Sequence, residues 1–455
     1  MTLQTTSFDW LGSPLDLYAK LYPSPFSFFL YSSMTGHSNS RYSYMGCDPY
    51  LIFQSKGQAI SVFSNEKWRH FSGNPLIEFE KLFNEESIRW KLSEQDFFSR
   101  GAVGYWGYDL KDFLETLPSK AEKEFDAPDS FWMFYKSIIV IDHRYSNYFI
   151  VGDPHETQKL YDKITNIISP ASVTCDYTVS PSVSESDYIR SILSIKERIG
   201  AGDVYEVNLS QRFHIQFEND EPWRDFNIFR SLTEVSPAPF SAILKCLDFS
   251  VISSSPERFL KIRDRVAESQ PIKGTRPCGL GFSEDEQNYL DLYTSDKDHA
   301  ENLMIVDLVR NDLGRVSKAG SVAVKDLFKI EKFSTVFQML STISGTLNDD
   351  VSNMDVIRAC FPPGSMTGAP KISAMKIIEE LEPYKRGIYS GAIGYMGFDG
   401  NCDLSVIIRT LILLGQKGYF QTGGAVVWDS DPKKEYEECW DKARGILNAL
   451  EKLKS

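Results

Sequence analysis

The sequence predicts an antiparallel α+β fold, on three observations. The N-terminal part reads as short strands and hairpins, for example Pro49 to Phe53 and Tyr135 to Ile141, with scattered helices. The C-terminal part alternates strands with well-signalled helices instead of repeating βαβ units. One internal boundary, residues 153 to 186, carries Asp153-Pro154 near its start and Ser180-Pro181-Ser182-Val183-Ser184-Glu185-Ser186 at its end, so the expected units are 1–170 and 184–455.

The C-terminal elements follow in order. A capping-type Ser184-x-x-Asp187 opens a helix that carries Tyr188, Ile192, Ile195 and Ile199 at helical spacing, with Gly200 as its expected stop. The next run, Val204 to Phe213, alternates: Tyr205, Val207 and Leu209 share a core face, while Glu206, Asn208 and Ser210 share a polar one. Taken alone, Glu206 reads as a carboxylate in water. The β-like run Phe249 to Ser255 ends in Ser255-Pro256-Glu257-Arg258. Glu257 is there either a surface partner of Arg258 or, if burial raises its pKa, a proton shuttle. In Pro271-Ile272-Lys273-Gly274-Thr275-Arg276-Pro277 a single lysine stands between a proline and a glycine. Solvated, Lys273 is an ordinary charge; desolvated, it is an amine able to attack carbon.

Asp296 to Val316 reads as a helix with Asp298 and Glu301 one turn apart on one face, and Asp307 and Arg310 as a second i,i+3 pair. Phe361 to Pro370 is a helix-breaking loop feeding a helix from Pro370 to Glu382, and it offers N–H groups to an anion. It is not a P-loop, because G-x-x-x-x-G-K-[ST] is missing. Arg409 follows the apolar strand Leu404 to Ile408, and Gly423-Gly424-Ala425 brings backbone close to whatever binds there. Asp431-Pro432 starts the last helix, whose stripe of Tyr436, Trp440, Ala443, Leu447 and Leu450 leaves Glu435 and Glu438 off the core. Each acidic pair singly reads as a solvated helix face. Together the four carboxylates are a candidate Mg²⁺ site, since this hard ion takes few protein oxygens and keeps water or substrate ligands.

Composition narrows the function. The 455 residues, 42% apolar, support a large core. A net charge of −13 without any Lys/Arg tract excludes nucleic acid and anionic membrane surfaces as expected partners. The first residues lack a basic n-region and apolar h-region, and no apolar run approaches a bilayer span, so a cytoplasmic location is expected. Seven scattered cysteines without C-x-x-C are expected as reduced, mostly buried thiols.

The motifs together carry a resemblance. Ala201 to Arg212, Ser255 to Arg258, Pro271 to Pro277, Ala300 to Gly314, Phe361 to Lys371, Gly387 to Gly391 and Asp429 to Glu438 resemble, in order, the chorismate-utilising enzymes, and most nearly their aminodeoxychorismate synthase component I branch. Arg41-Tyr42-Ser43 and Gly104-Tyr105-Trp106-Gly107-Tyr108-Asp109 resemble the amino-terminal region of that branch and of anthranilate synthase. The resemblance implies two packed antiparallel sheets surrounded by helices, with the N- and C-terminal parts interlocked and the chorismate-binding domain in 184–455. It implies that Glu301 and Glu438 bind Mg²⁺ with Asp298 and Glu435 in or near its water shell, the metal holding the ring carboxylate of chorismate. Gly423, Gly424, Ala425, Gly364 and Thr367 would complete that carboxylate site; Arg409 and Tyr389 would contact the enolpyruvyl carboxylate, and Thr275 joins the substrate-binding set. Lys273 would attack carbon 2 as the carbon 4 hydroxyl departs, with Glu257 transferring protons. Ammonia would then enter at carbon 4, giving 4-amino-4-deoxychorismate, a precursor of 4-aminobenzoate and folate.

The same resemblance discriminates within the family. Lys273 stands where anthranilate and isochorismate synthases generally carry Ala. Glu206 replaces both the Lys of water-using members and the Gln of ammonia-using ones, Gln338 stands at a usual His, Cys278 at a common Arg, and Ala425 at a usual third glycine. The alternatives are an anthranilate synthase component I, opposed by Lys273 and Gln338, and a catalytically impaired chorismate-fold subunit, motivated by Glu206 and Gln338. No cysteine lies in a G-x-C-x-G turn, so ammonia is expected from a separate glutamine amidotransferase subunit. Ser32, Arg41, Tyr42 and Ser43 resemble the tryptophan-binding region of relatives, although Tyr31 stands before Ser32 where their feedback motif has Glu.

Overall fold

The computed structural model describes residues 3–90, 95–166, 168, 170–279, 281–333 and 336–454. Among these the strands form two twelve-stranded sheets, antiparallel throughout. One runs, edge to edge, Gln4–Phe8, Asn147–Gly152, Ser137–Asp142, Tyr42–Gly46, Phe28–Tyr31, Phe240–Lys245, Ser250–Ser255, Thr410–Leu414, Lys417–Val426, Glu206–Phe217 and Tyr177–Pro181, with Gly368–Ala369 on Glu206–Phe217. The other runs Ile272–Pro277, Val336–Thr346, Val266–Gln270, Arg258–Arg263, Cys402–Val406, Ala392–Gly397, Gly101–Trp106, Ser130–Phe134, Leu51–Lys56, Ala59–Ser64 and Lys67–Ser72, with Ala323–Lys332 on Val336–Thr346. Each sheet thus takes five strands from residues before 153 and the rest from residues after 176. The seams are Phe28–Tyr31 against Phe240–Lys245 and Gly101–Trp106 against Ala392–Gly397, which is the interlocking the sequence resemblance implies.

Strand composition follows from burial on both faces. In Gly101–Trp106, Val103 and Tyr105 point into the core between the sheets, whereas Ala102 and Trp106 join Phe79, Trp132, Ile305 and Val309 beneath the outer helices. In Ser137–Asp142, Ile138 and Val140 likewise face the other sheet, and Ile139 and Ile141 pack against helical Leu17, Leu160 and Phe229. Uninterrupted apolar runs are the consequence. The seven cysteines are free, all buried except the partly exposed Cys278. Among the described residues no helix is long and apolar enough to cross a membrane.

A buried polar knot fixes the end of the first sheet that carries the candidate site. Arg386, 1% exposed, donates to Glu382 Oε1 at 2.6 Å, to Met366 O at 2.6 Å and to Asn208 O at 2.7 Å, while Glu382 Oε1 accepts from Ser210 N at 2.8 Å. One guanidinium therefore ties the 361–370 loop to the Glu206–Phe217 strand. Removing it strands the Glu382 charge in the interior, so Arg386→Ala is expected to cost about 3–5 kcal/mol of stability. Urea unfolding checks this: the midpoint should fall with the slope unchanged.

Candidate active site

Lys273 and Glu206 meet in the interior. Glu206 opens its strand by pairing with Ala369, and Asn208 two residues on pairs with Ala425. Lys273 sits on Ile272–Pro277, where Gly274 has φ +83° and a Cβ would stand 3.0 Å from Asp298 Oδ1; only glycine lets this strand approach the Asp296–Gly314 helix so closely. Lys273 Nζ donates to Glu206 Oε1 at 2.7 Å. Glu206 is 0% and Lys273 9% exposed.

That burial corrects the expectation of Glu206 in water. The 361–370 loop covers the polar face of the strand: Tyr205 N donates to Ala369 O, Asn208 N to Thr367 O and Asn208 Nδ2 to Ser365 O. Glu206, Asn208 and Ser210 are all buried, whereas Tyr205, assigned to the core from its alternation, is 66% exposed. Burial acts to lower the Lys273 pKa, but the charges of Glu206 and Glu301 outweigh it, so the ammonium sits above its ordinary value. Lys273 is a paired cation in this structure.

Glu257 follows the Ser250–Ser255 strand and is buried. It is not Arg258's partner: Arg258 makes a bidentate pair with Asp403, Nε to Oδ1 at 2.9 Å and Nη2 to Oδ2 at 3.0 Å. Burial raises Glu257 to about 7, against the Ser365 hydroxyl that donates to its Oε1 at 2.6 Å and against the Lys273 charge. A carboxyl near neutrality can both give and take a proton.

The carboxylate pairs of two helices face each other across Lys297, whose Nζ lies 3.7 Å from Glu301 Oε1 and 4.0 Å from Glu435 Oε1. Burial pushes Glu301 up to about 7, and burial followed by the Glu438 charge raises Glu435. Glu435 was expected off the core; it is 5% exposed and accepts from Ser430 Oγ at 2.8 Å, because the buried stripe of Pro432–Glu451 is Glu435, Cys439, Ala443, Ile446, Ala449 and Leu450. Glu438 is exposed and pairs with Lys442 at 2.6 Å, while Asp298 accepts from Arg276 at 2.9 Å. A Cβ on Gly424 would stand 3.0 Å from Glu435 Oε2 and 3.6 Å from Glu438 Oε1, so this glycine keeps space before both. All the donors are hard oxygens, two of their carboxyls are raised by burial, and an ammonium stands between the helices. This chemistry fits a hard divalent ion. Among the described residues no three such side chains already converge as a metal cage, and Mg²⁺ asks for fewer, since water and substrate oxygens fill its shell.

The anion-binding candidates are placed as follows. Arg409 precedes Thr410–Leu414 with φ +49°, unusual for a residue with a side chain, and has no acidic partner among the described residues. Burial lowers its pKa. Tyr389 is 2% exposed beneath Arg386. Exposed Thr275 lies opposite Gln338 in the register, with Gln338 Nε2 3.4 Å from its Oγ1; Gln338 Oε1 is buried without a donor. Buried Gly364 admits Leu308, whose Cδ2 would lie 2.2 Å from a Cβ there, and Thr367 Oγ1 donates to Gly364 O at 3.1 Å. Gly423 lies opposite Ser210, and its carbonyl accepts from Lys442 Nζ at 2.8 Å.

Ser32, Arg41, Tyr42 and Ser43 form their own cluster. Ser32 N donates to Ser43 Oγ at 2.9 Å, Ser32 Oγ to Tyr42 O at 2.8 Å, and Arg41 pairs with Asp96 and Asp142.

Sequence reasoning missed Ser365, Asn208, Lys297, Lys442 and the Glu382–Arg386 pair as members of the site. Three of these left a local signal, each an ion pair four residues apart: Lys442 with Glu438, Lys297 with Glu301 and Arg386 with Glu382. Ser365 and Asn208 act through contacts of long sequence separation.

The family described as chorismate binding enzyme matches residues 26–448. Anthranilate synthase component 1 of Acetivibrio thermocellus is 36% identical over 97% of this chain and 93% of its own. Aminodeoxychorismate synthase component 1 of Escherichia coli (strain K12) is also 36% identical, over 97% of each chain. Among solved structures, anthranilate synthase component I of Streptococcus pneumoniae TIGR4 superposes with a TM-score of 0.79 at 27% identity, covering 90% of this chain and 92% of that one. The menaquinone-specific isochorismate synthase of Escherichia coli shares the fold, with a TM-score of 0.76 at 15% identity over 99% of this chain and 94% of its own.

Proposed function

The chain belongs to the chorismate-binding enzyme family, and from that premise we propose that it aminates chorismate at carbon 4, in the manner of an aminodeoxychorismate synthase component I. Overall identity does not choose between this reaction and anthranilate formation, because relatives of both names are equally similar. The observation that carries the choice is Lys273, a buried lysine whose charge acts on the buried carboxyl of Glu257. An enzyme whose ammonia attacks the ring directly has no use for a nucleophile there.

In this reading Arg409 holds the enolpyruvyl carboxylate as an uncompensated cation. Lys273 attacks carbon 2, Glu257 gives its proton to the departing carbon 4 hydroxyl, and ammonia then displaces the lysine from the opposite end of the shifted double bonds. Glu301 and Glu438, with Asp298 and Glu435 behind them, would hold Mg²⁺, which when bound supplies positive charge to the ring carboxylate. Ammonia comes from a separate glutamine amidotransferase subunit, and the enolpyruvyl group stays on the product.

Mass spectrometry of the product from chorismate, Mg²⁺ and ammonium tests this. Aminodeoxychorismate with its enolpyruvyl group is expected; anthranilate would establish the component I alternative, and no turnover with retained chorismate binding would establish the impaired subunit. The Ser32, Arg41, Tyr42 and Ser43 cluster extends the reading to a tryptophan pocket. Excess tryptophan is then expected to raise Tm by mass action, and an unmoved Tm removes the pocket.

A further inference from the structure

An ammonium has no lone pair to offer carbon, and Lys273 is held as one by Glu206. Resting on the proposed amination, we propose that Glu206 is a catalytic proton acceptor, taking the Nζ proton of Lys273 when chorismate covers the pair and returning it when ammonia expels the amine.

The geometry supports this in three ways. The 2.7 Å contact between Nζ and Oε1 is the path of a direct transfer. Glu206 Oε2 is buried and has no donor among the described residues. The carboxylate is therefore left with unused acceptor capacity beside the Nζ protons. Finally, transfer turns an ion pair into a neutral pair, which excluding water favours, since two buried charges are costlier than two buried neutral groups. The other charges that act with Lys273 are Glu301, Glu438 and Lys442 from the two helices, and Glu257 from its strand end. Among the described residues, Glu206 is the one carboxylate within ion-pair distance of Nζ.

The step balances. Nζ gives a proton to Oε1, and its freed pair forms the bond to carbon 2 as the ring double bonds shift. The carbon 4–oxygen pair leaves with the hydroxyl, which takes the Glu257 proton and departs as water. Ammonia's pair then forms the carbon 4–nitrogen bond, and the carbon 2–Nζ pair returns to the amine, which recovers its proton from Glu206. The new carbon 4 ammonium reprotonates Glu257.

The test compares the pH dependence of amination in wild type, Glu206→Gln and Glu206→Asp, with Mg²⁺ and free ammonia held constant. Internal transfer needs no proton lost to solvent, so the wild-type rate should show no acid limb from Lys273. Glutamine holds the lysine in place but accepts no proton. Glu206→Gln should therefore gain an acid limb rising about tenfold per pH unit, and Glu206→Asp should, like wild type, lack that limb, at a lower rate. A merely structural Glu206 would lower the rate equally at every pH, and parallel wild-type and Gln profiles overturn the inference. If wild type forms no aminodeoxychorismate, the functional reading falls first; with that product formed, parallel profiles remove Glu206's role alone.

Discussion

Lys273→Ala is expected to lower chorismate amination by a factor on the order of 10³ or more, because it deletes the atom that forms the covalent intermediate. The mass of the trapped chain distinguishes causes: wild type quenched during turnover should carry the chorismate-derived adduct, and the alanine variant should not. The substitution has a second consequence. Glu206, fully buried, loses its counter-charge, and an uncompensated interior charge costs about 3–5 kcal/mol. The double variant Lys273→Ala with Glu206→Gln removes that charge and should recover most of the stability while staying inactive. Wild-type amination by a folded alanine variant would mean that ammonia attacks the ring directly, and the covalent route would fall.

Glu257→Gln should reduce turnover about 10²- to 10⁴-fold, the range of a lost general acid. In wild type, burial places this carboxyl at about 7. The acid form donates to the leaving hydroxyl, so turnover at constant free ammonia should fall as pH rises through that value, and the Gln variant should lack this limb. Stability moves with the opposite advantage. The folded chain keeps the Glu257 proton up to about 7, whereas the unfolded chain loses it near the ordinary 4.5, so between those values the native state binds more protons and wild-type stability drops as pH rises. The charged form costs on the order of 3 kcal/mol above that window. Glu257→Gln escapes the cost, and its stability relative to wild type should climb between these two values and then level off. An unchanged difference across the window would mean that Glu257 is not desolvated.

Local signals read well where a single residue decides. Ser184 caps its helix through Asp187 N, and Asp431-Pro432 starts the last one as its sequence implied. Boundaries shifted where a tertiary neighbour intervened. The helix after Ser184 was expected to stop at Gly200 but continues to Ala201, and Gly202 ends it with φ +87°; Gly200 stays helical with Trp428 packed on it, 3.0 Å from where a Cβ would lie. Pro370 caps its helix from outside, with ψ 143°, and does not form its first turn. The apolar strand before Arg409 is Cys402–Val406 and ends two residues earlier than the apolar run implied.

By itself the sequence determined the antiparallel α+β class, the helix starts, the seven free thiols and the chorismate-binding family, because caps, alternation and ordered motifs are local or additive signals. Tertiary structure alone decided the protonation of the site. Whether Glu206 is solvated or paired and whether Glu257 answers to Arg258 or to Ser365 depend on which distant segment covers each carboxyl, whereas Glu435 is held by Ser430, close by in the chain. Desolvation and ion pairing act over a few ångströms of space, and the partners of Glu206 and Glu257 lie 67 and 108 positions away along the chain.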